Sequence, residues 1–207
     1  RGGRDDRDVV LDRAAPERPW TWHPLSARGL GGRFTHGLGT GDVDGDGRID
    51  VLWRHGVWFQ PASLEGDPEW RHEAHRFSDA GGAQMLVFDV DGDGDADVVT
   101  SDHAHGYGLS WFEQQPADGR RRFARHGIMG RQPDDFPHGF AVGNLHALCS
   151  ADVDGDGLPD VITGNRFFAH GGGDLADSEP ARLVWFRLQR AGGTVTWTPH
   201  EIDAHSG

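Results

Sequence analysis

Asp89-Val90-Asp91-Gly92-Asp93-Gly94-Asp95-Ala96-Asp97 decides how this chain is read, because the phrase recurs on either side of it. The copies are Asp42-Val-Asp44-Gly-Asp46-Gly-Arg48-Ile-Asp50 and Asp152-Val-Asp154-Gly-Asp156-Gly-Leu158-Pro-Asp160. Carboxylates at the first, third and fifth positions have the spacing of a loop that wraps oxygens around Ca²⁺. Glycine at the fourth and sixth positions permits the positive φ that such winding requires. The seventh residue (Arg48, Asp95 or Leu158) would offer its backbone carbonyl, which frees its side chain to vary. The ninth, Asp50, Asp97 or Asp160, is followed at once by Val51-Leu52, Val98-Val99 or Val161-Ile162, so the loop is a strand-to-strand corner. One copy alone could be a metal-free Asp/Gly turn. Three copies with all four acidic positions filled would be strongly self-repelling without a cation. The expected cofactor is therefore calcium, at about three sites, one for each phrase.

The residues around each phrase also repeat. A short apolar or small-residue strand precedes each loop and another follows it. An aromatic strand comes next (Val57-Trp58-Phe59, Ser110-Trp111-Phe112, Val184-Trp185-Phe186), and a fourth ends in His-x-apolar (His75-Arg-Phe77, His126-Gly-Ile128, His200-Glu-Ile202). Four antiparallel strands per repeat make the pattern of a β-propeller blade. The fold class expected is all-β, with blades at about 34–77, 83–128 and 146–202 inside a unit spanning 31–207. Residues 1–30 form a separate segment, charged and Pro/Arg/Asp-rich at its start, whose Trp20–Leu25 stretch supplies the last strand of a preceding blade. Propellers close with about four to eight blades. Three blades and a strand are thus expected to belong to a larger ring, for example a seven-bladed one, completed by further blades or by a partner chain.

Asp-x-Asp-Gly-Asp-Gly-x-x-Asp between strands resembles the FG-GAP and VCBS repeats of integrin-α-type propellers and of many secreted bacterial proteins. Gly81-Gly-Ala-Gln-Met85 and His103-Ala-His-Gly-Tyr107-Gly-Leu109 are similar to phrases of a bacterial VCBS-repeat subgroup. The resemblance covers about 30–207 and implies metal ligation at the twelve matching aspartates, in sites that brace the blades.

The formal charge of −13 includes those loop aspartates and argues against nucleic acid as a partner. Three bound divalent cations would bring it to about −7. No apolar run approaches the roughly 18 residues of a membrane span. All twenty basic residues are arginine, most simply a coding bias. Cys149, the lone cysteine, rules out an intrachain disulfide and is expected as a small core residue. Calcium loops favour a secreted, periplasmic or cell-surface location.

Loop lengths point to the functional face. From the third-strand Phe to the fourth-strand His the steps are 16, 14 and 14 residues. From the ninth-position Asp to the Trp they are 8, 14 and 25, and from His to the next acidic phrase 19, 14 and 26. Variation thus falls on the end of the blades opposite calcium, and loops on a rigid scaffold carry function. His55, His103, His105 and His170 fall there, as do Asp102, Tyr107 and Arg166, while His36 and His146 each stand six residues before an acidic phrase. His36, His103, His105, His146 and Tyr107 are the catalytic candidates, able to bind a second metal, do acid–base chemistry or hold a sugar. Imidazoles that only brace strand ends are the plain alternative. Three readings follow: a calcium-binding module presenting this face to a glycan or protein, a propeller lyase or dehydratase acting on sugars, or a purely structural segment of an adhesin-like surface protein. No nucleophile elbow, phosphate loop or HExxH supports other hydrolase or nucleotide chemistry.

Overall fold

In the computed structural model, each acidic phrase turns the chain from one strand into its antiparallel neighbour. Residues 8–10, 15–19, 21–27, 30, 34–78, 82, 84–117, 120–132, 135–136 and 138–204 are described. β1 (Asp8–Val10) and β2 (Thr21–His23) form a two-stranded pair. β3 (Leu38–Gly41), β4 (Asp50–Trp53), β5 (Gly56–Phe59) and β6 (Arg71–Ala74) form the first four-stranded sheet. β7 (Leu86–Phe88), β8 (Asp97–Ser101), β9 (Leu109–Ala117) and β10 (Arg120–Met129) form the second. β11 (Leu148–Ala151), β12 (Asp160–Gly164), β13 (Leu183–Ala191) and β14 (Thr194–Asp203) form the third. Each is an antiparallel meander in chain order, the pattern of a propeller blade. The helical content of the described residues is one 3₁₀ turn, Ala169–Gly171, and no helix is long and apolar enough to cross a membrane.

The core lies between the sheets. Val43, Leu52, Phe59, Phe77 and Met85 pack with Val98 and Phe112, joining the first sheet to the second. Val99, Trp111 and Ile128 pack with Val161, Phe186 and Trp197, joining the second to the third. Leu25, next to β2, packs on Trp53 and Trp58 of the first sheet. Alternation across a strand gives each sheet these two apolar faces.

β3 and β7 approach closely enough for a parallel bridge between Gly39 and Met85, with Met85 N–H donating to Leu38 O. A Cβ at Gly39 would land on the backbone and Cβ of Met85. Gly39→Ala should therefore destabilise the protein by about 2 kcal/mol through overpacking. A urea midpoint lowered with unchanged slope would show it, and wild-type stability would mean this contact is not close.

The aromatic strands repeat with a shifted phase. Val51 pairs with Trp58, Val98 with Phe112 and Val161 with Phe186. Counted from the acidic loop, Trp58 matches Phe112 and Phe186, so the alignment of Trp58 with Trp111 and Trp185 is off by one residue. A one-residue slip sends a side chain to the other face. Trp58 accordingly faces the N-terminal side and Trp111 the third sheet. The fourth strands shift likewise: His126 and His200 stack on Trp111 and Trp185, whereas His72, not His75, lies against Trp58. His75 sits beyond β6 among Phe77, Phe112 and Phe123.

The N-terminal segment contributes two paired strands, with Val9 opposite Trp22. One further expectation is corrected. Cys149 is exposed and not in the core, because β11 turns Leu148 inward and its neighbour outward.

Candidate functional site

Each acidic loop is tied to its sheet by the ninth-position aspartate. Asp50 accepts from Val43 N–H at 2.9 Å and from Gln60 N–H at 2.9 Å. Asp97 accepts from Val90 at 2.8 Å and Gln114 at 2.7 Å, and Asp160 from Val153 at 3.1 Å and Leu188 at 2.9 Å. One carboxylate thus clamps the second loop residue to the third strand in all three sheets. Asp42 and Asp152 accept from N–H groups of the loop itself, at Gly47 and Gly157 among others. The glycines at the fourth and sixth positions have φ of +72° and +83° in the first loop, +90° and +95° in the second, +79° and +89° in the third.

Oxygens of the first, third and ninth aspartates converge in every loop: Asp42, Asp44 and Asp50; Asp89, Asp91 and Asp97; Asp152, Asp154 and Asp160 lie within 4.8 Å of one another in each set. These carboxylates could hold a cation. The fifth-position residues Asp46, Asp93 and Asp156 stand outside those sets and accept the N–H of the seventh residue, Arg48, Asp95 or Leu158. Burial, then neighbouring carboxylates, pushes Asp44 and Asp95 above the ordinary range. Asp97 is carried up to about 7, chiefly by burial, against the opposing hydrogen bonds from Gln114 and Val90. Arginines partly offset this charge: Arg187 pairs with Asp154 at 2.5 Å, and Arg71 and Arg121 each approach Asp44 at 3.8 Å. A cleft of about 680 Å³ runs between the first two loops, the end of β9 and the start of β10.

The histidines gather at the opposite end of the strands. β3 and β11 separate His36 from Asp42 and His146 from Asp152 by six residues, about 20 Å of extended chain. His105, in the β8–β9 connection, joins them. The ring centroids of His36, His105 and His146 are 4.9, 5.1 and 5.4 Å apart, and the planes cross at 78–88°. A ring nitrogen from each lies within 4.8 Å of the others. His36 Nδ1 bonds Phe34 O at 2.8 Å, and His146 Nδ1 bonds Asn144 O at 2.9 Å, the same two-residue reach in two sheets. His105 Nδ1 meets the Asp174 carboxylate at 2.9 Å. Burial, together with Arg166 and the two other imidazoles, holds His146 below the usual histidine range against the Asn144 bond.

The remaining candidates lie elsewhere. His103 accepts the N–H of His105 at 3.1 Å and braces the turn that presents it. Tyr107 donates its hydroxyl to Glu179, packs on Phe136, and is pushed up to about 12 by burial and that carboxylate. His55 sits on Trp53, and His170 stacks on His105 with its Nδ1 3.0 Å from Asp174. Asp174 also pairs with Arg166; burial opposes its ionisation, but hydrogen bonds from His105 and His170 keep it below the ordinary carboxylate range. Asp174 and Glu179 were missed in the sequence, since single acids in a variable loop carry no spacing signal. Asp102 is a structural anchor, held by Ser110, Arg125 and Arg131.

No curated protein matches the chain. The family model described as FG-GAP repeat matches residues 144–175, a stretch that holds the third acidic loop together with His146, Arg166 and Asp174, so the chain carries an FG-GAP repeat there, in the region of β11 and β12.

Proposed function

We propose that the chain is a calcium-braced β-propeller module that works outside the cytoplasm and binds a glycan or protein at its histidine-bearing end. The observation that carries this is the threefold recurrence of one carboxylate arrangement at one end of the blades. The donors are all hard oxygens, the set calcium takes. Asp44 Oδ1 is buried without a hydrogen-bond partner, as expected of a group whose partner is an ion. When bound, calcium would offset two charges of each cluster and hold the corner rigid; Asp42, Asp44 and Asp50 and their counterparts would be its side-chain ligands, with Asp46, Asp93 and Asp156 orienting the seventh residue. The open face of the third sheet, where Trp185 stacks on His200, is where a further blade or a partner chain packs in a larger ring.

Calorimetric titration of metal-stripped protein with calcium tests the reading. Three equivalents are expected for the wild type and two for Asp91→Ala. Absence of heat, or three equivalents in the variant, would remove calcium from the second loop.

The second reading, a sugar lyase or dehydratase, draws support from the convergence of three imidazoles. The His/Tyr form of it loses ground, because Tyr107 is engaged with Glu179 and a phenol near 12 is a poor base at neutral pH.

A further inference from the structure

From the convergence of His36, His105 and His146 we infer a zinc-class transition-metal site, separate from the acidic loops and independent of the calcium proposal. Three sheets supply it: His36 precedes β3, His105 follows β8, and His146 precedes β11. Six residues before the second acidic phrase the sequence has Ala83 where the others have His36 and His146, and the histidine of the β8–β9 connection takes the third place.

Two of the three tautomers are set for ligation. A backbone carbonyl accepts only, so His36 and His146 carry their protons on Nδ1 and leave Nε2 with a free lone pair. At His105, Nδ1 lies 2.9 Å from the Asp174 carboxylate, which accepts, and 2.9 Å from Arg166 Nη2, which donates; with Nδ1 donating to Asp174, Nε2 would be the ligand there too. A ligating imidazole whose other nitrogen donates to a carboxylate or carbonyl is the usual outer arrangement of a metal-bound histidine. His36 and His146 have it, and Asp174 stands at hydrogen-bond distance to supply it at His105. The near-perpendicular planes mean that no two of these rings stack.

Three neutral nitrogens suit zinc and its first-row neighbours and do not suit calcium, which takes oxygen. Tetrahedral bonds of about 2.0–2.1 Å need ligand nitrogens roughly 3.4 Å apart, inside the 4.8 Å that bounds their present separations. Each ring is partly exposed, which leaves access for the ion and a fourth position for water or an oxygen of a bound ligand. His105, His170 and Asp174 also converge, but Asp174 already holds Arg166 and both imidazoles, so it orients the site from outside.

The test is zinc binding by whole, metal-stripped protein, read by competition with a chromophoric chelator in the presence of calcium, and by the visible spectrum of the cobalt(II) form. One equivalent with a four-coordinate cobalt spectrum is expected. Binding should be lost in His36→Ala, His105→Gln and His146→Ala, weakened about 10–100-fold in Asp174→Asn, and unchanged in His126→Ala, whose ring stacks on Trp111. Calcium stoichiometry should be the same in all of them, which separates this site from the loops and from any loss of fold. Failure of the wild type to take zinc at micromolar concentration, or equal loss in His126→Ala, would overturn the site.

Discussion

Excess chelator should lower the melting temperature by about 15–30 °C relative to the protein in 10 mM calcium. A ligand that binds only the folded state stabilises it by mass action, and the acidic loops exist as ligand sets only when the corners are formed. With calcium 100-fold above a dissociation constant near 10⁻⁴ M, each site adds about 2.7 kcal/mol and three add about 8 kcal/mol. In a chain of this size each kcal/mol moves the midpoint by about 2–4 °C. The physical basis is the charge left behind. Buried, neighbouring carboxylates in each loop are pushed toward the neutral form, Asp97 furthest, and an ion would relieve that repulsion. Thermal unfolding followed by circular dichroism with and without chelator measures the effect. A shift below about 3 °C, worth roughly 1 kcal/mol, would mean that the loops stand as turns without metal.

The second large effect belongs to Asp102. Its carboxylate is 2 % exposed and takes Arg125 through Nε at 3.0 Å and Nη2 at 2.9 Å, Arg131 at 2.7 Å and the Ser110 hydroxyl at 2.7 Å. Its backbone adds a bond from the Ser78 hydroxyl to its carbonyl and one from its N–H to Gly108 O. One residue therefore joins the end of β8, the start of β9, β10 and the segment after it. Asp102→Ala should cost about 3 kcal/mol, the low end for a broken buried pair, because both guanidinium groups keep contact with solvent. Urea denaturation reads it, and a loss below about 0.5 kcal/mol, the level of an ordinary surface change, would make the cluster ornamental. The variant should also weaken zinc binding, since Asp102 anchors the turn that carries His105.

The same carboxylate sets a pH dependence. Burial opposes its ionisation, but the hydrogen bonds from Arg125, Arg131 and Ser110 hold it below its ordinary value. A group depressed in the folded state contributes stability that is present above its unfolded value and lost as pH falls through its folded one. The stability lost on acidification below about pH 4 should therefore be smaller in Asp102→Asn than in the wild type.

The corner geometry was legible because it is local. Nine consecutive residues set both the carboxylate spacing and the positive φ at Gly92 and Gly94, and the same phrase three times marked three sheets. The strand phase was less legible. Trp58-Phe59 looks like Trp111-Phe112, yet the clamp from Asp50 to Gln60 N–H shows it displaced by one residue, and with a two-residue period that exchanges faces. Cys149 was misread for a related reason: apolar neighbours indicate a strand, while its face depends on what packs against it.

Of the functional face, the sequence determined only that histidines cluster in the variable connections opposite the acidic loops. His103 and His105 look equivalent there, two residues apart in one loop. Tertiary structure separates them, turning His103 into a brace and sending His105 to meet His36 and His146 from the neighbouring sheets. Asp174 is 69 residues from the imidazole it orients. Loops of contiguous residues are governed by backbone sterics and local charge, which a sequence displays directly. A site assembled from three sheets depends on how those sheets pack, and close approaches such as Gly39 on Met85 decide that only once the whole chain has folded.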